Sequence, residues 1–319
     1  MLAPAQRVKG TVLSRSRLRS ILRRLSEVSL AVFRLVLIIG ISYIILFPIL
    51  TKLSSSFMAR KDLVDQTVKW IPKNFTLDNY RLAVQTLRFP TVFKNSAFLS
   101  LLVSILQLCS STLVGYGLAR FDFRGKGLVF GAAIFTLVVP PQMIMVPLYL
   151  NWRFFDLYGL IPGKGIRLLG TYWPFVLTSI TGTGLRNGLF ILVMRQFFRG
   201  MPKNLEEAAY VDGASPLMAF FRVMLPGATS AAVVVFLFAF VWQWNDSFLT
   251  TLYLDSNFLP VALGNLTRTL ARELEMNHPQ YFSLIVNAGS LLMITPVLVV
   301  YGLLQRYFVE SIERTGLVG

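Results

Sequence analysis

The sequence predicts an all-α membrane protein: six transmembrane helices, with a pair of short soluble helices inserted between the fourth and the fifth. Three observations predict it. Of the 319 residues, 55% are hydrophobic and only 14% charged, with a mean hydropathy of +0.62, a balance outside the range of soluble domains. The charges are also segregated. None of Asp, Glu, Lys or Arg falls between Arg34 and Lys52, Lys94 and Arg120, Lys126 and Arg153, Arg167 and Arg186, Arg222 and Asp246, or Glu275 and Arg306. A spanning helix needs roughly 20 apolar residues, so the runs place helices near 30–51, 96–118, 127–150, 171–198, 228–249 and 282–304. Finally, Asn204 to Pro226 carries the start and stop signals of two short helices. The ten-residue alternation of an outer-membrane barrel is absent.

Residues 1–29 form a basic arm, with Arg7, Lys9, Arg15, Arg17, Arg19, Arg23 and Arg24 against the single acid Glu27. Leu18, Ile21, Leu22 and Leu25 share a helical face, which suits an amphipathic helix on anionic headgroups better than nucleic-acid binding. The first span has a cleaved signal peptide as its rival. Its apolar run is longer than a signal core and no small-x-small site follows Ile49-Leu50, so it reads as a retained helix. Residues 53–94 form an outer segment marked by Trp70-Ile-Pro72 and by Thr76 to Tyr80, with a short interfacial helix over 77–88. The single cysteine, Cys109, falls within the second span and reads as a small core residue.

A tight basic loop, Arg120-Phe-Asp-Phe-Arg124-Gly-Lys126, leads into the third span. That span contains Pro140-Pro141 and Pro147; prolines free backbone carbonyls, so such a helix is commonly broken or lines a cavity. Gly182, Gly184 and Gly188 in the fourth span permit close helix contact. Between spans four and five, Asn204 is placed as N-cap with Glu207 closing a capping-box-like pair. Gly213 supplies a left-handed helix end. Ser215 and Pro216 start a second helix, which Leu225-Pro226 should stop. Two capped helices in a loop of a membrane protein make a shaped surface, against the bland reading of an amphipathic pair with no partner. The C-terminal boundary is set at 305, with 306–319 as a tail.

The spaced pattern Glu207-Ala208-Ala209, three residues, Gly213, nine residues, Val223-x-Leu225-Pro226 resembles the loop that marks permease subunits of ABC importers, with Val223 where that family usually has Ile. Asn79-Tyr80, Asn95-Ser96, the Tyr116-x-Leu-Ala-Arg120-Phe run and Gln305-Arg306-Tyr307-Phe308-Val309 are similar to the carbohydrate-uptake branch, the smaller permease of maltose-like systems. The last residues, from Glu310, depart from that branch's usual tail. The resemblance implies that residues 200–226 are cytoplasmic coupling helices docked on a separate ATPase, with the N-terminus inside; the excess of Lys and Arg on the inner segments points the same way. It implies carboxylates from Glu206, Glu207 and Asp212 for a basic partner, Glu207 facing an ATPase arginine, and Ala208 and Ala209 small enough to settle into its groove. It implies a second homologous permease, two ATPase subunits and an extracytoplasmic solute-binding protein, which residues 250–280 would meet. The cargo would be a saccharide or polyol, with a non-sugar solute such as glycerol phosphate as the alternative, in the plasma (inner) membrane of a prokaryote.

No cofactor is expected in this chain. Gly163-Lys164-Gly165 lacks the spacing of a phosphate cradle, which assigns ATP and Mg to the partner, and the lone His278 has no metal-ligand cluster around it. For the translocation path the candidates are Gln142, Asn151, Arg186, Asn187, Trp242, Trp244 and Asn245. Arg186 inside a span faces either a cavity or a structural partner. The tryptophans serve either as interfacial anchors or as sugar platforms. A secondary transporter would need intramembrane acids for ion coupling, and Asp246 is the one candidate.

Overall fold

A computed structural model describes residues 15–316 except 69, 158, 161, 162, 164, 185, 255, 276 and 277; the side chains of 15–22 and 308–316 are also outside the description. The expected amphipathic face of Leu18, Ile21 and Leu22 and the Phe308-Val309 exit therefore lie outside the described side chains. Every element is helical apart from isolated bridges joining Met58 to Phe75 and Phe155 to Ile166.

In chain order the helices are α1 (Arg15–Ser56), α2 (Asp78–Leu87), α3 (Phe89–Arg120), α4 (Lys126–Val138), α5 (Met145–Arg153), α6 (Trp173–Ile180), α7 (Asn187–Gly200), α8 (Asn204–Val211), α9 (Pro216–Ala219), α10 (Leu225–Gly227), α11 (Thr229–Trp244), α12 (Phe248–Tyr253), α13 (Leu259–Glu273) and α14 (Pro279–Gly316). Single 3-10 turns precede α2 and α5. A π turn, Phe220–Met224, joins α9 to α10.

Three stretches are long and apolar enough to cross a bilayer alone: Arg23–Ser56, Phe89–Arg120 and Pro279–Tyr307. Two bent pairs raise the count to five among the described residues. Lys126–Val138 and Pro141–Arg153 meet at 97°, and Pro216–Gly227 and Thr229–Trp244 at 75°. The first break is the one expected at Pro140-Pro141. The fourth expected span is not one helix. α6 and α7, of 8 and 14 residues, are separated by turns around Gly182, whose φ of +68° leaves the helical region. There the Thr178 carbonyl accepts from the amides of both Thr183 and Gly184. Absence of charge locates apolar chain, not helix continuity, and Thr181-Gly-Thr-Gly is uncharged yet a poor helix former. The outer boundaries move too. α1 runs unbroken from the basic arm into the first span, and α14 continues through the expected tail.

α3 is the hub, packing against α6, α7, α11, α2 and α13, while α14 gathers α1, α2, α11 and α13. α3 can do this because its buried face is small and polar: Ser96, Ser100, Ser104, Ser110, Ser111, Thr112 and Gly115 let neighbours approach closely. Cys109 lies on the opposite stripe with Leu101, Ile105 and Leu113 and is exposed, not a core residue. Gly188 makes the tightest crossing. A Cβ there would sit 2.1 Å from the Ala133 carbonyl oxygen, so only glycine allows α7 to meet α4. At the other end of the bundle, Asn79 on α2, as expected a short helix, donates to the carbonyls of Ser56 and Met58, at 2.9 Å each, and ties down the end of α1. Asn95 donates to the Asn257 carbonyl, and Ser96 accepts from the Leu259 amide at 2.8 Å, fixing the start of α13 against α3.

Candidate functional site

The segment from α8 to α10 folds back on itself as an elbow. α8 ends in the arrangement its sequence dictates: Gly213 has φ +83°, its amide bonds the Tyr210 carbonyl, and the Ala214 amide bonds that of Ala209. These two bonds close a Schellman end. Ser215 caps the next helix, its hydroxyl accepting from the Met218 amide at 3.3 Å, with Pro216 in the first turn. Two expectations fail. Lys203, not Asn204, is the N-cap, without a side-chain bond. Asn204 is already helical, so no capping box with Glu207 forms. The second helix also does not stop at Leu225-Pro226; the proline occupies a first-turn position of α10, which needs no amide donor, and the break falls at Ala228.

The two adjacent glutamates part company because α8 turns about 100° per residue. Glu207 is exposed, with no ion pair among the described residues. Glu206 turns inward. Its carboxylate lies 3.0 Å from Arg120 Nε, with both side chains less than 10% exposed, and accepts from the Tyr116 hydroxyl at 2.6 Å. The Nε hydrogen does not point along this contact, so charge rather than an aligned hydrogen bond holds it. Arg120 also donates through a terminal nitrogen to the Met201 carbonyl at 2.9 Å. Removing one partner of such a buried pair costs about 3–5 kcal/mol. Glu206 is thus committed within the chain and is not available to a basic partner. Ala209 likewise points inward, 8% exposed, so its small side chain serves this chain's own packing; Ala208 and Asp212 remain on the surface.

The outward side of the elbow is apolar. Leu205, Tyr210, Val211, Leu217, Met218 and Phe221 are exposed, and a cavity of about 380 Å³ opens beside Ala208, Asp212, Gly213 and Arg222. Exposed apolar patches of this kind mark protein, membrane or ligand contact surfaces.

A second site lies where the broken helices converge. A cavity of about 370 Å³ is lined by Thr136, Gln142, Arg186, Trp242, Asp246 and apolar neighbours. Arg186 satisfies both readings of an intramembrane arginine. It faces this cavity, 39% exposed, while one nitrogen lies 3.6 Å from the buried Asp246 carboxylate and its guanidinium sits 5.4 Å from the Trp242 ring centre. Thr250 donates to Asp246 through its amide and its hydroxyl. Asp246, the ion-coupling candidate of the sequence, is paired with Arg186, a contact 60 positions away along the chain that no local pattern signals.

The remaining candidates scatter. Trp244 is 1% exposed and donates its indole N–H to the Met293 carbonyl at 3.0 Å; it is a core residue, neither platform nor interfacial anchor. Asn187 is buried and donates to Ser110 at 3.3 Å. Asn245 is exposed and bonds back to the Val241 carbonyl. Asn151 is exposed at the end of α5, outside the cavity lining. Among the described residues no group of His, Cys, Asp and Glu is placed to hold a metal.

Comparison with known proteins gives the geometry its setting. Over 285 residues, covering 88% of this chain and 93% of the relative, the sequence is 28% identical to the arabinooligosaccharides transport system permease protein AraQ of Halalkalibacterium halodurans. It is 28% identical to the trehalose transport system permease protein SugB of Mycobacterium tuberculosis, over 86% of this chain and 93% of that one. The diacetylchitobiose uptake system permease protein NgcG of Streptomyces coelicolor is 29% identical, over 86% of this chain and 84% of its own length. The fold matches a chain in the crystal structure of a bacterial ABC transporter involved in the import of the acidic polysaccharide alginate, with a TM-score of 0.67 and 23% identity over 94% of this chain and all of that one. Residues 111–314, which contain both the elbow and the cavity, match the binding-protein-dependent transport system inner membrane component, and the chain belongs to that family of ABC importer permeases.

Proposed function

We propose that this chain is one of two permease subunits of an ATP-driven importer, forming with a homologous second permease the path for a sugar or oligosaccharide delivered by a solute-binding protein. Three relatives similar along nearly their whole length are permeases for arabinooligosaccharides, trehalose and diacetylchitobiose, which favours a saccharide over glycerol phosphate. ATP is hydrolysed on two separate ATPase subunits. In this reading the chain crosses six times, with α6 and α7 forming the fourth crossing as a broken pair, which sets the elbow and the N-terminus on one side; docking on an ATPase makes that side the cytoplasm.

The observation that carries this reading is the elbow's exposed apolar surface beside the exposed Glu207, which makes no ion pair among the described residues. It offers a carboxylate to an ATPase arginine, and charge-assisted bonds of that kind contribute roughly 1.5–3 kcal/mol. ATP closing two ATPases draws two elbows together and turns the helices outward; hydrolysis reverses the motion. A ligand shifts such an equilibrium only by its differential affinity for the two states. The cavity at Gln142, Arg186, Trp242 and Asp246 belongs to the sugar path. Its charges are paired with each other, which suits a neutral ligand with hydroxyls and an apolar ring face.

The test is reconstitution with both permeases, the ATPases and the binding protein, scanning a panel of glycans for stimulated hydrolysis. Glu207→Ala and Gly213→Pro should insert normally yet lower the sugar moved per ATP, by about tenfold where one charged contact is lost. Wild-type uptake in both variants, or a wild-type chain that co-purifies with no ATPase, refutes the reading.

A further inference from the structure

We propose that Arg120, Glu206 and Tyr116 form a clamp that makes the elbow one body with the ends of α3 and α7, so that the ATPase stroke enters the membrane through α3. This inference rests on the elbow being the ATPase dock. The elbow's own chain connections are poor transmitters. On one side it leaves α7 through the non-helical Met201-Pro202. On the other it passes through a π turn and a 75° bend at Ala228. The clamp bypasses both. Tyr116 and Glu206 are 90 residues apart in sequence, yet their side chains meet in a buried contact. The Arg120 guanidinium holds Glu206 and, through the Met201 carbonyl, the elbow's entry turn as well.

Behind the clamp, α3 and α7 are closely fitted. A Cβ on Gly115 would lie 2.7 Å from Met194 Cβ and 2.9 Å from the Arg195 amide nitrogen. Arg195 bonds the Leu118 carbonyl and covers the Phe130 ring at 4.0 Å. The Tyr116 ring sits among Phe198, Phe220 and Phe121. The breaks at Val139-Pro140 and around Gly182 lie outside this body, while the bend at Ala228 is packed at its edge against Tyr116, Phe198 and Phe220. The adjacent glutamates therefore divide the work. Glu207 reaches outward to receive force, and Glu206, a positioning residue, passes it to α3.

The test uses the reconstituted complex and reads sugar transported per ATP hydrolysed, with ATPase co-purification as the control for assembly. In a Cys109→Ser background, Arg120→Cys with Glu206→Cys removes the clamp, and a short bismaleimide replaces it with a covalent tie. The transport ratio should fall at least about fivefold, the lower end of ordinary coupling free energies, while the ATPases still co-purify. Cross-linking should restore it; a complex lacking the cysteine pair, treated identically, should not change. A wild-type ratio without the cross-link overturns the proposal. So does a cross-linked complex that hydrolyses ATP but moves no sugar, since the clamp would then have to open in each cycle. If the cysteine pair does not reach the membrane, Arg120→Gln with Glu206→Gln is read by the same ratio, with the same fall expected and an unchanged ratio again overturning the clamp. Failure of the wild-type chain to bind an ATPase would instead sink the docking reading, so the two failures are distinct.

Discussion

Gly188 offers the sharpest test of the packing. It is the second residue of α7, and a Cβ built on it would lie 2.1 Å from the Ala133 carbonyl oxygen and 2.8 Å from Thr136 Oγ1. The nearest obstacle is backbone, so no side-chain rotation relieves it; α4 and α7 must separate. Forcing one extra carbon into a closed contact costs about 1–3 kcal/mol. Gly127 is the matched control. It is the second residue of α4, and a Cβ there meets nothing within 4 Å. The gain in helix propensity from alanine is similar at the two sites and cancels between them. Gly188→Ala should therefore melt below Gly127→Ala by the overpacking cost alone, roughly 1.5–4.5 °C for a chain of this size. The assay is the apparent melting temperature of the detergent-solubilised protein at one scan rate. Equal midpoints for the two variants, or a larger drop for Gly127→Ala, would show that α4 and α7 do not meet at this distance.

Two further outcomes are expected. The pair Arg186 and Asp246 is lopsided, because the arginine is 39% exposed and the carboxylate side chain 4%. Arg186→Gln leaves a buried carboxylate with neutral donors such as Thr250 in place of a charge and should cost up to about 3 kcal/mol, the lower end for a broken buried pair; Asp246→Asn should cost about 1 kcal/mol. Melting temperatures in the reverse order would refute the assignment. In the outer segment, hydrogen bonds from the Asn74 side chain hold the Asp62 carboxyl below its ordinary value of 3.8. A depressed folded pKa stabilises above the unfolded value and is lost as pH falls through the folded one. Hydrogen-exchange protection of residues 57–76 should thus hold from neutral pH down to about pH 5 and decline below about pH 4; protection lost between pH 7 and 5 would contradict it.

What the sequence revealed divides along a physical line. Gly213, Ser215 and Pro216 were legible because capping is local: the residues that decide it lie within four positions of one another. The Pro140-Pro141 break was legible for the same reason. Glu206 was not. Two neighbouring glutamates in one helix are equivalent on paper, and only the rotation of α8 against α3, set by packing among Tyr116, Phe198 and Phe220, decides which is buried. Asn204 was misplaced because a one-residue shift in helix start leaves composition unchanged. Trp244 was misread for want of a partner, since Met293, whose carbonyl receives its N–H, lies 49 residues away. The fourth span was misjudged because charge reports on solvent, whereas its break is a matter of backbone conformation.

That same break links the cavity to the elbow. Of the continuous helices, α3 and α14 anchor the interior packing, α3 chiefly against α7 and α11, and α1 carries much of the exposed apolar flank. The end of α4 and its connection to α5, Arg186 before α7, and the end of α11 line the cavity, while α9 and α10 belong to the elbow. Irregular backbone at membrane depth is tolerated only where protein or water satisfies its amides and carbonyls. Two of the breaks, at Val139-Pro140 and at Arg186, border the cavity and meet that condition there, while the third, at Ala228, is closed by packing against Tyr116, Phe198 and Phe220. A stroke delivered at Glu207 would then bend the chain at Thr181 to Arg186 before it could deform α3, and Arg186, at the edge of that bend, would be the first cavity residue to move.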